Sequence, residues 1–179
     1  MSSNLEAILA DDYPGDVAAL SIEDVRARRA ECKEIETGLS YLRRLVQGRL
    51  DVVAAEQGRR RDGGDGDDLE GLIARLPDLL AGSTRSEGTG RLPSSIGIGT
   101  VDDDLQDELD GIITDTHLGE PGELSDDQLR AAASALAAFE QKVSGLRRSL
   151  FDRIDAFEAE LTRRYKSGEA SVDSLLNQP

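Results

Sequence analysis

Apolar residues return at every seventh position in two stretches of this chain, and no other feature narrows its fold as far. In the first stretch Val25, Cys32, Leu39, Val46 and Val53 are spaced by seven, with Ile35 and Leu42 interleaved. In the second, Leu129, Leu136, Val143, Leu150 and Phe157 are spaced by seven, with Ala132, Phe139 and Leu146 interleaved. A stripe of that period is the seam of a helix that buries one face against another helix. A capping pattern opens each stretch, Ser21 with Asp24 three residues on and Ser125 with Gln128 three residues on. Each helix runs about 40 residues, hence about 60 Å at 1.5 Å per residue, and needs a partner. Three Phe, three Tyr and no Trp in 179 residues are too few for a thick globular core. The expected fold is therefore all-α, two long helices (21–61 and 125–166) paired as an antiparallel coiled-coil hairpin. The segment between them is long enough for a parallel pairing as well. Arg49 and Arg153 fall at seam positions, where the apolar stripe shifts onto Leu50 and onto Ile154 and Leu161. A local irregularity in the packing is expected there.

The formal charge is −15, from 36 acidic and 21 basic residues, and it is unevenly placed. Residues 1–21 carry −4, 22–61 carry +3, 62–124 carry −13, 125–166 carry +1 and 167–179 carry −2. Twelve of the eighteen glycines also lie in 62–124, from DGGDGDD at 62–68 to GSTRSEGTGRLPSSIGIG at 82–99. That composition reads as a long, acidic, Gly-rich flexible linker. Within it LEGLIARLPDLL (69–80) and VDDDLQDELDGII (101–113) could form short amphipathic helices, weakened by Pro77 and the glycines. The organisation read from the chain is an acidic N-terminal segment (1–20) with room for a short helix, the first helix (21–61), the linker (62–124), the second helix (125–166) and a tail (167–179).

Several functions are disfavoured by arithmetic. One Cys and one His can make neither an internal disulfide nor a four-ligand zinc site, so no metal is expected and the cytoplasm is the default compartment. No run of about 18 apolar residues exists and the first twenty residues lack a basic region, so neither a membrane span nor a signal peptide is expected. The negative charge disfavours free DNA and anionic membranes and suits a basic protein surface. No nucleophile–base pair or phosphate loop points to an enzyme. His117 reads as a solvated residue, and Cys32, on the seam, as a small buried hydrophobe.

The two helices also repeat each other at an offset of 104 residues. ETGLSYLRRLVQGRLD (36–51) lies over EQKVSGLRRSLFDRID (140–155), with identities at Glu36/Glu140, Ser40/Ser144, Leu42/Leu146, Arg43/Arg147, Arg44/Arg148, Arg49/Arg153 and Asp51/Asp155. Only one of these pairs is apolar, whereas a plain duplicated coiled coil would repeat its seam and let the polar surface vary. Glu36, Ser40, Arg43, Gln47 and Asp51 step by 4, 3, 4 and 4 and stay within about 80° of arc, one polar stripe beside the seam. Such a stripe can be a ladder of intrahelical pairs, such as Glu36 to Ser40, each contributing about 0.2–0.5 kcal/mol. It can also be a site for a planar, anionic ligand, because Arg donates in pairs to phosphate or to guanine O6 and N7 while a carboxylate accepts from the guanine N1 and N2 edge. Two copies on related helices suit a ligand with its own two-fold axis. Gly38, Gly48 and Gly145 beside the stripe either admit a close approach to the backbone or are merely tolerated.

The spacing Glu-x3-Ser-x2-Arg-x3-Gln-x3-Asp resembles the signature of the RsiG-type cyclic-di-GMP-responsive anti-sigma factors. The first copy matches at Glu36, Ser40, Arg43, Gln47 and Asp51, the second at Glu140, Ser144, Arg147 and Asp155, with Phe151 in place of Gln. The resemblance implies that these nine residues bind cyclic di-GMP as a regulatory ligand. It further implies that the liganded protein holds a flagellar or sporulation-type sigma factor away from RNA polymerase. Two other readings fit the chain. One is a structural coiled-coil interaction protein. The other is an RNA polymerase channel-binding factor with DGGDGDD as an acidic, metal-reaching tip, against which stand the glycines and the adjacent RRR at 59–61.

Overall fold

The computed structural model describes residues 4–61 and 99–169. They form α1 (Asn4–Leu9), a 3-10 turn (Val17–Ala19), α2 (Ile22–Arg61), α3 (Asp103–Asp115), a second 3-10 turn (Pro121–Glu123) and α4 (Asp126–Ser167), with no strand among the described residues. Helices α2 and α4 are the expected pair and run antiparallel, since Arg26 meets Tyr165, Lys33 meets Glu158, Arg43 meets Glu140 and Arg60 meets Asp126. Both start where the capping patterns place them. Ser21 Oγ accepts the Asp24 N–H at 3.0 Å. At α4 the box is reciprocal, with Ser125 Oγ accepting from Gln128 N–H at 3.2 Å and Gln128 Oε1 from Ser125 N–H at 2.7 Å. Helix α4 ends at Gly168, whose φ of 78° is the left-handed conformation that stops a helix.

The heptad positions form the core. Val25, Cys32, Leu42, Val46, Leu129, Leu136, Val143, Leu150 and Phe157 have no exposed surface, and burial of such a side chain stabilises by about 1.5–3 kcal/mol for the larger members. The irregularity at the seam arginines is present and has a cause. Arg49 is exposed while Leu50 packs partly buried against the core, and on the other helix Ile154 and Leu161 are buried while Arg153 turns aside to donate to the Ala10 carbonyl just beyond α1 at 3.4 Å. Cys32 is wholly buried beside the Tyr13 hydroxyl, and burial pushes its thiol up from the ordinary range.

The stretch 62–124, expected as flexible linker, is folded over its last part. Residues 103–115 are a regular helix because the acids that read as linker composition are its start: Asp102 accepts the Leu105 N–H at 3.2 Å, and Asp103 and Asp104 complement the dipole of the first turn. Leu105 and Leu109 are buried, as are Leu118 and Leu124 beyond the helix. Just before it, Gly99 (φ 67°) and Thr100 cross α2 at Gly38, where an added Cβ would lie 2.0 Å from the Thr100 carbonyl oxygen. The close approach at Gly38 is thus made by the chain itself, while Gly48 and Gly145 have nothing within 4 Å. The second short helix expected, 69–80, lies outside the described residues, as does the tail from 170.

The repeat at an offset of 104 extends through the whole described fold. Arg60 donates to Glu56 at 2.6 Å, to Asp126 at 2.9 Å, and to the Pro121 and Gly122 carbonyls of the second 3-10 turn at 3.2 and 3.1 Å. Arg164 donates to Glu160 at 2.6 Å and to the Val17 and Ala18 carbonyls of the first turn at 3.2 and 3.1 Å. Each long helix therefore ends in an arginine that clamps the turn leading into the other. Leu5 and Ile8 of α1 correspond likewise to Leu109 and Ile112 of α3.

Helices α1 and α3 lie on one flank of the seam. Asn4 Nδ2 donates to Glu31 at 2.8 Å, Thr100 crosses seven residues on at Gly38, and Glu108 pairs with Lys142, the counterpart of Gly38. Positions 36, 43, 140 and 147 lie on the opposite flank, and no described short helix covers them.

Arg164 is 7 % exposed. Arg164→Met should therefore lower stability by about 2 kcal/mol in denaturant unfolding, the cost of leaving two carbonyls without a charged donor. Arg130→Met, at an exposed ion pair, should cost less than about 0.5 kcal/mol.

A pH dependence follows from the same clamps. Hydrogen bonds from Arg59 and Arg60 hold the Glu56 carboxyl at about 2, and those from Arg163 and Arg164 hold Glu160 at about 2, against an ordinary 4.5. Their contribution is complete above about pH 4.5 and is lost as pH falls toward 2. Melting temperature should drop through that window, and Glu56→Gln with Glu160→Gln should flatten the drop.

Candidate functional site

The uncovered flank carries the two motif copies side by side. Because the helices are antiparallel and related by the 104-residue offset, Glu36 faces Arg147 and Glu140 faces Arg43. Arg147 Nη2 donates to Glu36 Oε1 at 2.8 Å, and Arg43 Nε donates to Glu140 Oε1 at 2.8 Å and to Ser144 Oγ at 3.1 Å. Along each helix the serine supports the same carboxylate: Ser40 Oγ donates to Glu36 at 2.6 Å and Ser144 Oγ to Glu140 at 3.0 Å. The intrahelical ladder is real, then, but it is half of a cross-helix network. Burial would raise the Glu140 carboxyl. Hydrogen bonds from Arg43, Ser144 and Gln47 outweigh it and hold the group below the ordinary carboxylate range.

The two halves are not equal. Gln47 reaches Glu140 on one side, whereas Phe151, its counterpart, lies against Arg147, with the guanidinium carbon 5.4 Å from the ring centroid. Arg147 is held by that ring and by two hydrogen bonds to Glu36, and its side chain is 20 % exposed. Arg43 bonds only through Nε among the described residues and is 36 % exposed.

Of the nine motif residues, seven (Glu36, Ser40, Arg43, Gln47, Glu140, Ser144 and Arg147) are brought together at the crossing of the two copies. Asp51 and Asp155 are not: both are exposed, toward opposite ends of the hairpin, and Asp155 lines a shallow cleft with Glu158, Thr162 and Lys166. The assembled surface is polar and half-buried, with carboxylate acceptors and guanidinium donors alternating across a two-fold relation. Among the described residues no group of His, Cys, Asp and Glu could hold a metal ion, and no helix is long and apolar enough to cross a membrane.

The RsiG-like family matches residues 11–80 and 115–178. The chain belongs to that family. The two matched stretches begin 104 residues apart, the offset that relates the two halves of the fold. Membership in the RsiG-like family supports an anti-sigma role and, with it, a partner of the sigma-factor class. No curated protein matches the chain.

The paired geometry gives a test independent of any ligand. Arg147→Glu alone sets two carboxylates against each other and should lower stability by about 1 kcal/mol, and adding Glu36→Arg should recover most of that loss. Thermal unfolding of the wild type, the two single variants and the double variant checks the pairing.

Proposed function

We propose that this RsiG-like protein is a cyclic-di-GMP-dependent anti-sigma factor, not an enzyme, that sequesters a flagellar or sporulation-type sigma factor from RNA polymerase. The observation that carries the reading is the meeting of both motif copies on one uncovered flank, with Glu36, Ser40 and Arg147 mirrored by Glu140, Ser144 and Arg43. A two-fold purine dinucleotide suits a two-fold set of donors and acceptors. Arg43 and Arg147 supply the paired donors, Glu36 and Glu140 accept from a guanine edge, and Gln47, Asp51 and Asp155 extend the stripe outward. Phe151 offers an apolar face to a base where its counterpart offers an amide. The strongly acidic chain suits the basic surfaces with which a sigma factor meets DNA.

Arg43 and Arg147 are each engaged by a carboxylate of the facing helix, so a ligand exchanges partners within that network. The donors and acceptors that a ligand would engage are held together in one place, which favours a partner that reads the completed surface. Calorimetry with cyclic di-GMP should show binding by the wild type and its loss in Arg43→Ala with Arg147→Ala, helicity being retained. Titration of the sigma factor with and without cyclic di-GMP should give mutual tightening, a coupling of about 1–3 kcal/mol or more. Equal sigma affinity in both conditions excludes gating and leaves a ligand-independent clamp.

A further inference from the structure

We infer that Arg44 and Arg148, outside the motif, form the phosphate-holding rim of the site. The inference rests on the cyclic-di-GMP reading and begins from charge. The motif itself holds four carboxylates (Glu36, Asp51, Glu140 and Asp155) and two guanidiniums (Arg43 and Arg147), a formal −2. Both guanidiniums are already bound to carboxylates across the seam. A ligand with two phosphodiesters brings two more negative charges, onto a chain whose formal charge is −15. Without further cations the stripe would repel the ligand it is shaped for.

Arg44 and Arg148 are the cations in place to prevent this. At 100° per residue Arg44 lies about 80° round from Glu36, just past Asp51 on the solvent side of the stripe. It is one turn from Ser40 and three residues from Gln47, so it is their neighbour on the helix surface. Arg148 occupies the same place relative to Ser144 and Phe151. Both are exposed, and among the described residues neither forms an ion pair or hydrogen bond. They are also one of the identical pairs of the internal repeat, although each sits on the outer face of its helix, where packing asks for no particular side chain. Adding them brings the formal charge of the site to zero. The chemistry then divides: Arg43 and Arg147, fixed by carboxylates, are directional donors to base edges, and Arg44 and Arg148, unpaired and long, close over phosphate oxygens from the outside.

The test is calorimetry on the full chain with cyclic di-GMP at two salt concentrations. Arg44→Ala with Arg148→Ala should weaken binding by about tenfold per guanidinium and flatten its salt dependence, with melting temperature unchanged. Arg44→Lys with Arg148→Lys should restore the salt dependence and part of the affinity, since charge is kept and the paired donor lost. Wild-type affinity and salt dependence in the alanine double variant would overturn the rim. Retained ligand binding with lost sigma binding would also overturn it and reassign the two arginines to the partner surface. A wild-type chain that binds no cyclic di-GMP would remove the functional reading itself, and the rim with it.

Discussion

Everything in this molecule hangs on the burial of one apolar stripe against another. Each long helix, of 40 and 42 residues, buries most of its apolar stripe against the other, and the short helices only extend that core along one flank. Seam therefore meets seam, and antiparallel pairing fixes which polar residues look across at each other. The register that buries Leu39, Leu42, Val46, Val143 and Leu150 also sets Glu36 opposite Arg147 and Glu140 opposite Arg43. The candidate site is a consequence of core packing, held at half-buried positions where a hydrogen bond to a charged group is stronger than on the open surface.

Much of this was legible in the residues. The period of seven located both long helices, Ser21 and Ser125 located their starts, and the shift from Arg49 to Leu50 and from Arg153 to Ile154 located the irregular stretch. The motif spacing named the polar residues that the structure brings together at the crossing. Helix α3 was harder to read, because Asp102, Asp103 and Asp104 are ambiguous: the same acids that lower the hydrophobicity of a linker also cap a helix and complement its dipole. The end clamps left a thinner trace still. Arg60 and Arg164 act on backbone carbonyls, which any residue type supplies, so only the arginines and Glu56 and Glu160 recur at the offset. Gly38 could be seen as a point of close approach, but nothing in its neighbours said that Thr100 would be the visitor.

The placement of α1 and α3 on one flank explains how a small protein keeps an uncovered polar surface on a two-helix ribbon. A bare hairpin has two equivalent grooves beside its seam. Here one is filled by Leu5, Ile8, Leu105 and Leu109, which thickens the core, and the other is left to polar chemistry. The halves differ too, at the site in Gln47 against Phe151 and on the covered flank in a six-residue α1 against a thirteen-residue α3.

The clamps at both ends bear on what holds the two halves together. Arg60 fixes the end of α2 to the entry of α4, and Arg164 fixes the end of α4 to the entry of α2, so alignment is set by contacts at each terminus and along the seam. No tight turn is needed to impose it. The described fold is in effect a dimer of two like units written in one chain. Because both units belong to one chain, their pairing is intramolecular and their stoichiometry fixed. The single chain also lets the two copies of the surface diverge, as Phe151 has, which identical subunits could not do.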